Sequence, residues 1–163
     1  MTAFDYRFPL DRLVRRYKFS ADLAVGAYLG DVLGRAVTGS PRPDLVVASP
    51  ISAERLRVRG FNPALLLARR VSSRQALALD ARCLAKARHT PPQTGLDAAA
   101  RRRNVQGAFV VTRRLDGLKV AVVDDVITTG STLAAVAGAL KAAGAARVTG
   151  WMVARTPEPP RQG

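Results

Sequence analysis

Two adjacent carboxylates, Asp124 and Asp125, stand between a short apolar run and a loop rich in hydroxyls. The run is Val120-Ala-Val-Val123, and the loop Thr128-Thr-Gly-Ser-Thr132 carries four side-chain hydroxyls. So short and β-branched a run predicts a strand buried on both faces. The carboxylates then fall at its carboxyl end, where open α/β sheets place their ligands. Backbone N–H groups ahead of a helix make an anion site, and Gly130 lets the main chain come close to a ligand. A carboxylate pair can only accept hydrogen bonds, which suits a partner with two donors such as vicinal hydroxyls. The chemistry that fits is recognition of a sugar phosphate, with phosphate in the loop and diol on the aspartates. The competing reading is a strand-to-helix turn capped by Thr and Ser, with solvated aspartates.

The surrounding pattern alternates helices and strands, as an α/β sheet requires. Leu10, Leu13, Val14 and Tyr17 recur at helical spacing, as do Leu29, Val32, Leu33 and Ala36, so one bent or two separate helices fill residues 9–38 from Pro9 onward. Thr38 to Pro43 breaks the pattern, and Asp44 to Ser49 reads as the first buried strand. Asn62 followed by Pro63 starts a helix reaching about Val71. Residues 80–87 alternate like a strand near the sheet edge, Asp97 could cap a short helix, and 108–111 is a short strand. A strand over 119–124, a helix over 131–143 ended by Gly144, and a strand over 147–154 complete the sheet. The tail from Thr156 should fray.

Composition narrows the class. A chain of 163 residues with 48% apolar content can bury the core of one domain. No apolar run approaches membrane-spanning length, and no signal-peptide pattern opens the chain. The single Cys83 makes neither an internal disulfide nor a zinc cluster, so no zinc is expected here. A cytoplasmic setting fits, extending at most to the inner face of the cell membrane. Lys and Arg number 26 against 12 acidic residues, a net charge of +14 that attracts phosphate-rich partners. The bases cluster at Arg12, Arg15, Arg16 and Lys18, at Arg55, Arg57 and Arg59, and at Arg101, Arg102 and Arg103. The first cluster divides evenly between a solvated face and an anion site.

The acidic-pair loop lacks the Gly-Lys-Ser/Thr ending of a Walker motif. It resembles the phosphoribosyl pyrophosphate (PRPP) motif of type I phosphoribosyltransferases: apolar strand, two acids, then T-x-G-x-T. Three further strings sharpen the likeness, namely R-G-F-N at Arg59–Asn62, T-P-P-Q-x-x-L from Thr90 and R-x-x-N-V-x-G-A-F from Arg101. Together they resemble the ComF family, phosphoribosyltransferase-like proteins tied to bacterial natural transformation, over about Phe8 to Thr156.

The resemblance implies one phosphoribosyltransferase-like domain over 1–163: a three-layer α/β/α fold with a mostly parallel sheet over 44–155 and a small helical hood over 9–38. It implies a mobile lid over 88–107. Asp124, Asp125, Val126, Thr128, Thr129, Gly130, Ser131 and Thr132 would bind PRPP. Pro50, Ile51, Ser52, Arg59 and Gly60 would form the pyrophosphate loop. Arg88, Thr90, Gln93, Arg101 and Asn104 would belong to the lid, with Arg101 and Asp125 as the catalytic residues. Mg²⁺ would arrive with PRPP, held mainly by the ligand and water near Asp124 and Asp125 rather than by direct protein ligation. PRPP or a ribose phosphate is the implied ligand. Single-stranded DNA, competence helicase or channel proteins and a second copy of the chain are the further candidate partners. A DNA-binding component without catalysis, and a nucleobase or amine phosphoribosyltransferase of nucleotide metabolism, are the alternatives.

Some residues depart from the pattern. The family's usual N-terminal zinc ribbon, with paired C-x-x-C motifs, is absent from the sequence. Ser52 stands where His is expected and Pro63 where Gln is common. Thr128 supplies no carboxylate to read a purine, which argues against hypoxanthine or guanine as acceptor. His89 in its Pro-rich loop reads as exposed rather than catalytic. Cys83 reads as a buried small hydrophobe, and Trp151, Phe109 and Phe19 as core. Tyr17, Phe19 and Tyr28 read as hood packing rather than base-stacking groups.

Overall fold

Val120 to Val123 are each at most 1% exposed, and the strand that carries them, β6 (Lys119–Ile127), sits at the middle of the sheet. The computed structural model describes residues 1–86 and 108–157. Its main sheet contains β1 (Thr2–Asp5), β2 (Leu45–Ala48), β3 (Leu79–Asp80), β6 and β7 (Arg147–Arg155) in the order β1-β7-β6-β2-β3. Every neighbouring pair is parallel. Ala48 lies opposite Val123, and Trp151 opposite Val123 on the other side.

Side-chain alternation along the strands divides the core into two layers. Ala121 and Val123 pack with Val46, Trp151 and Val153 against α1 (Leu10–Phe19), α2 (Leu23–Ala36) and α4 (Pro63–Gln75). Val120 and Val122 face the other way, toward Val136 and Leu140 of α5 (Ser131–Ala142) and the ribbon of β4 (Leu84–Lys86) and β5 (Phe109–Val111). The result is the expected three-layer α/β/α arrangement. Each fully buried valine contributes about 1.5–3 kcal/mol of apolar transfer. No helix among the described residues is long and apolar enough to cross a membrane.

Several expectations are corrected. The proposed strand over 80–87 is two elements: β3 at the edge of the main sheet, and β4 paired antiparallel with β5. The break has a local cause. Asp80 accepts from the N–H groups of Arg82 and Cys83 at 2.9 and 3.0 Å, a side-chain turn that ends the strand. The N-terminal segment forms β1 against β7, an edge strand that the sequence pattern did not signal. The supposed loop 50–62 holds a helix, α3 (Ala53–Arg59), capped by Ser52 and ended by Gly60 at φ 79°. Phe19 is 73% exposed and Tyr28 56%, so neither is core. Leu10, Val14 and Tyr17 form the buried face of α1, and Phe19, two residues on, turns about 200° away. Cys83, Trp151 and Phe109 are buried as expected; burial raises the Cys83 thiol to about 11. The helix proposed near Asp97 lies outside the described residues.

Close helix packing in the hood depends on glycines four residues apart. Gly30 faces Arg70 of α4 and Gly34 faces Arg74, while Gly26 lies against the Tyr17 ring. Asp31 between them takes two hydrogen bonds from Arg70 at 2.8 Å. The Tyr17 ring is fully buried and its hydroxyl donates to the Pro63 carbonyl at 2.7 Å, so it cannot swing aside. A Cβ at Gly26 would run into that ring. Overpacking costs about 1–3 kcal/mol, and the helix propensity of alanine returns about 1. Gly26→Ala is therefore expected to lower the thermal midpoint by a few degrees in differential scanning calorimetry; an unchanged or raised midpoint would show that Tyr17 is not held.

Candidate functional site

The last four residues of β6, Asp124 to Ile127, emerge from the sheet and lead through Thr128 and Thr129 to Gly130, the N-cap of α5. Gly130 has φ 74°, a backbone region open to glycine, and turns the chain straight into the helix. As N-cap, Gly130 has no side chain to offer, and the Ser131 N–H makes only a long, 3.5 Å bond to Thr129 Oγ1. The first amides of α5 therefore point outward, backed by the helix dipole. The hydroxyls of Thr129 and Ser131 lie 3.0 Å apart at the same place.

A shallow open cleft of about 50 Å³ lies here, lined by Asp124 and Val126, the loop from Ile127 to Thr132, Leu133 and Met152. It gathers the expected residues Asp124, Val126, Thr128, Thr129, Gly130, Ser131 and Thr132. Asp125 is not among its lining residues.

The two aspartates are thus unlike. Strand alternation continues through the acid pair, so Asp124 follows Val122 toward α5 and Asp125 follows Val123 toward the hood. Asp125 is 8% exposed, and the Lys18 ammonium on α1 lies 2.8 Å from its Oδ1. The same oxygen accepts the Val126 N–H at 2.6 Å. Asp124 Oδ1 accepts the Asp125 N–H at 2.8 Å, and the Ser49 side chain also hydrogen-bonds this carboxylate. Burial, and then the neighbouring Asp125 charge, push Asp124 well above the usual carboxylate range. Burial likewise raises the Tyr17 hydroxyl, with Asp125 adding to it.

The β2 exit forms the adjoining wall. Ser49 donates its N–H to Val123 O at 2.9 Å, and its carbonyl accepts from Asn62 Nδ2 at 3.0 Å. Pro50 and Ile51 are half-buried beside it. Ser52 is 8% exposed, and its hydroxyl accepts the Arg55 N–H at 3.3 Å. Serine is therefore used at this position as a helix cap, a task the His of the family pattern performs less well. Arg59 ends α3 with its guanidinium 5.2 Å from the centre of the Phe19 ring, and Gly60 beyond it is exposed. The expected lid residues Arg88, Thr90, Gln93, Arg101 and Asn104 lie outside the described residues. Ser49 and Lys18 were not singled out for the site by their sequence. Ser49 adjoins Pro50 at a strand end, a weak signal, whereas nothing in the first basic cluster marks Lys18 as the one that reaches Asp125.

Asp124 fixes a pH dependence. Its carboxyl is raised in the folded chain above the unfolded value of 3.8, so folding favours the protonated form. That contribution is complete below the unfolded value and is lost as pH rises through the folded one. Asp124→Asn cannot ionise. In the ligand-free protein it is expected to raise the thermal midpoint relative to wild type at pH 8, with the gain vanishing near pH 3. Equal midpoints at pH 8 would contradict the buried-charge account.

The chain matches the phosphoribosyl transferase domain family over residues 59–161. It is 37% identical over 158 residues to DNA utilization protein YhgH of Salmonella typhi, covering 93% of this chain and 70% of that one. It is 33% identical over 159 residues to competence protein F of Haemophilus influenzae, covering 92% and 69%. Among solved structures, purine phosphoribosyltransferase from Pyrococcus horikoshii aligns with a TM-score of 0.50 at 17% identity, covering 80% of this chain and 82% of that one. That structural likeness speaks for the fold alone, and it agrees with the all-parallel main sheet. With a domain match over most of its length and relatives above 30% identity, the chain belongs to the phosphoribosyltransferase domain family, within its ComF and YhgH branch.

Proposed function

We propose that the chain binds PRPP at the carboxyl end of β6 and acts, as a phosphoribosyltransferase-type protein, in the use of DNA taken up by the cell. One observation carries the reading: Asp124, the hydroxyl-rich loop and the N-terminus of α5 line the same cleft. A 5-phosphate would take the amides and hydroxyls of Thr129 to Thr132, and the sugar hydroxyls would donate to Asp124. Displacing pyrophosphate breaks its oxygen bond to C1 of the sugar and forms a bond from C1 to the acceptor. Negative charge builds on the departing oxygens, so cations held ready there favour the transition state over the ground state. Arg59 at the rim, and Arg101 by the family pattern, are the residues for that task.

The donor set also fits Mg²⁺ carried by the ligand. Among the described residues no three His, Cys, Asp or Glu side chains gather to hold a metal, and the two aspartates face opposite ways. Pyrophosphate oxygens, sugar hydroxyls and water would complete the shell near Asp124, and the ion would neutralise the leaving charge. The names of the relatives, DNA utilization protein and competence protein F, support a place in natural transformation. A cytoplasmic setting, with helicase or channel proteins as partners, follows from that reading.

The hood supports a second reading, contact with single-stranded DNA. Arg12 lies 5.4 Å over the Phe8 ring and Arg59 5.2 Å over Phe19, and these rings are 71% and 73% exposed. Exposed rings beside Arg on a chain of charge +14 suit bases and phosphates together. Such binding should weaken with salt at a log–log slope of about −0.7 per phosphate neutralised. Affinity that ignores salt, measured by fluorescence anisotropy, would remove this reading.

For the first reading the test is isothermal titration with PRPP and Mg²⁺. Wild type should bind, and Asp124→Asn should weaken binding by about ten- to a hundred-fold, the worth of a hydrogen bond to a charged group. No heat from wild type, or equal affinity in the variant, would sink the proposal.

A further inference from the structure

We infer that Lys18, on the hood helix α1, is a positioning residue of the ribose phosphate site: its ammonium holds Asp125 on the hood side of β6 and leaves Asp124 to meet the sugar. The inference rests on the reading that the cleft takes a ribose phosphate, and it concerns a residue that the acidic-pair motif does not contain.

The geometry is specific. Asp125 and Asp124 are consecutive on a strand, so their side chains leave on opposite faces. Only Asp124 lines the cleft. Asp125 is 8% exposed, and Lys18 meets it at 2.8 Å with side-chain exposures of 22% for the lysine and 12% for the aspartate. Arg59, another cation beside the hood, lies over the Phe19 ring, 5.2 Å from its centre. Among the described residues, the ion pair recorded for Asp125 is the one with Lys18.

Lys18 is itself held in place. The residue before it, Tyr17, is fully buried, donates to the Pro63 carbonyl at 2.7 Å and packs on Phe61 with ring centres 5.7 Å apart. Arg16, one residue further back, bonds Asp22 at 2.7 Å and so ties the end of α1 to the start of α2. The lysine is thus delivered to the end of β6 by a packed element rather than by a free surface chain. Removing its charge would leave Asp125 buried and unpaired one residue from Asp124. Two adjacent uncompensated carboxylates resist ionising together, and a protonated Asp124 accepts the sugar hydroxyls poorly. Lys18 therefore makes the hood a part of the sugar clamp. It is a positioning residue, acting through Asp125 and touching no ligand in this account.

The test is isothermal titration with PRPP and Mg²⁺ on wild type, Lys18→Met, Lys18→Arg, Asp125→Asn and the double variant Lys18→Met/Asp125→Asn. Thermal midpoints are recorded alongside. Lys18→Met should lose about ten-fold or more in affinity while still unfolding cooperatively. Lys18→Arg, which keeps the charge, should recover most of the loss. Because the pair acts as a unit, the double variant should bind no more weakly than the weaker single one. Lys18→Gln takes the place of Lys18→Met if the methionine variant does not fold. Affinity in Lys18→Met equal to wild type, failure of Lys18→Arg to recover binding, or losses that multiply in the double variant would overturn the role of Lys18 alone. Absence of binding by wild type would instead overturn the ribose phosphate reading, and the role of Lys18 with it.

Discussion

The end of β6 has to be two things at once. For four residues the strand is sealed between helices on both faces, with Val120 to Val123 almost without solvent contact. One residue later it must present charge. The pleat does not change at that border, so each side of the sheet receives one carboxylate. Everything around the site answers that constraint. On the hood side a lysine meets Asp125; on the α5 side a backbone N–H and the Ser49 side chain support Asp124. The neighbouring strands set where those supports can stand. Ala48 in register with Val123 puts Ser49 beside Asp124, and α4 begins where Asn62 reaches back to the Ser49 carbonyl.

The support is incomplete on the cleft side. Asp124 is raised by burial and by its neighbour, which means the folded chain holds it against its preference to be solvated or protonated. A ligand offering two hydroxyl donors would supply what the protein withholds. The same logic holds at α5, whose N-cap is a glycine without a side chain and whose first amide has only a long, 3.5 Å bond to Thr129 Oγ1. Stability has been left unclaimed at two adjacent points, and both face one cleft. The neighbouring helix α3, by contrast, is capped by the side chain of its own N-cap residue, Ser52.

Much of this arrangement was legible in the sequence. The apolar run, the acid pair and the Thr/Gly/Ser loop are local, and their order alone predicts strand, site and helix start. The helices of the hood and α4 followed from periodicity and from the Asn62-Pro63 start. Other features depend on distant partners. The antiparallel ribbon of β4 and β5 needs the Asp80 side chain to turn the backbone first, and β1 exists only because β7 offers a free edge. Phe19 looked like core because it is aromatic on an amphipathic stretch, yet its angle around α1 sets it in solvent beneath Arg59. The acid pair read as one symmetrical clamp, since adjacency in sequence conceals the alternation of faces. Lys18 was hidden among arginines of like charge, and only the docking of α1 distinguishes it.

Sequence and fold place this chain in the phosphoribosyltransferase domain family; the proposed function assigns the phosphate to one loop. The most direct measurement is a two-dimensional ¹⁵N–¹H spectrum of the labelled protein titrated with PRPP and Mg²⁺, with inorganic phosphate as reference. The account predicts that the largest amide shifts fall on Asp124, Asp125 and Thr128 to Thr132, with inorganic phosphate moving the loop residues but not Asp124. Shifts that spare this loop and gather instead on the basic faces of α1 and α3 would contradict it.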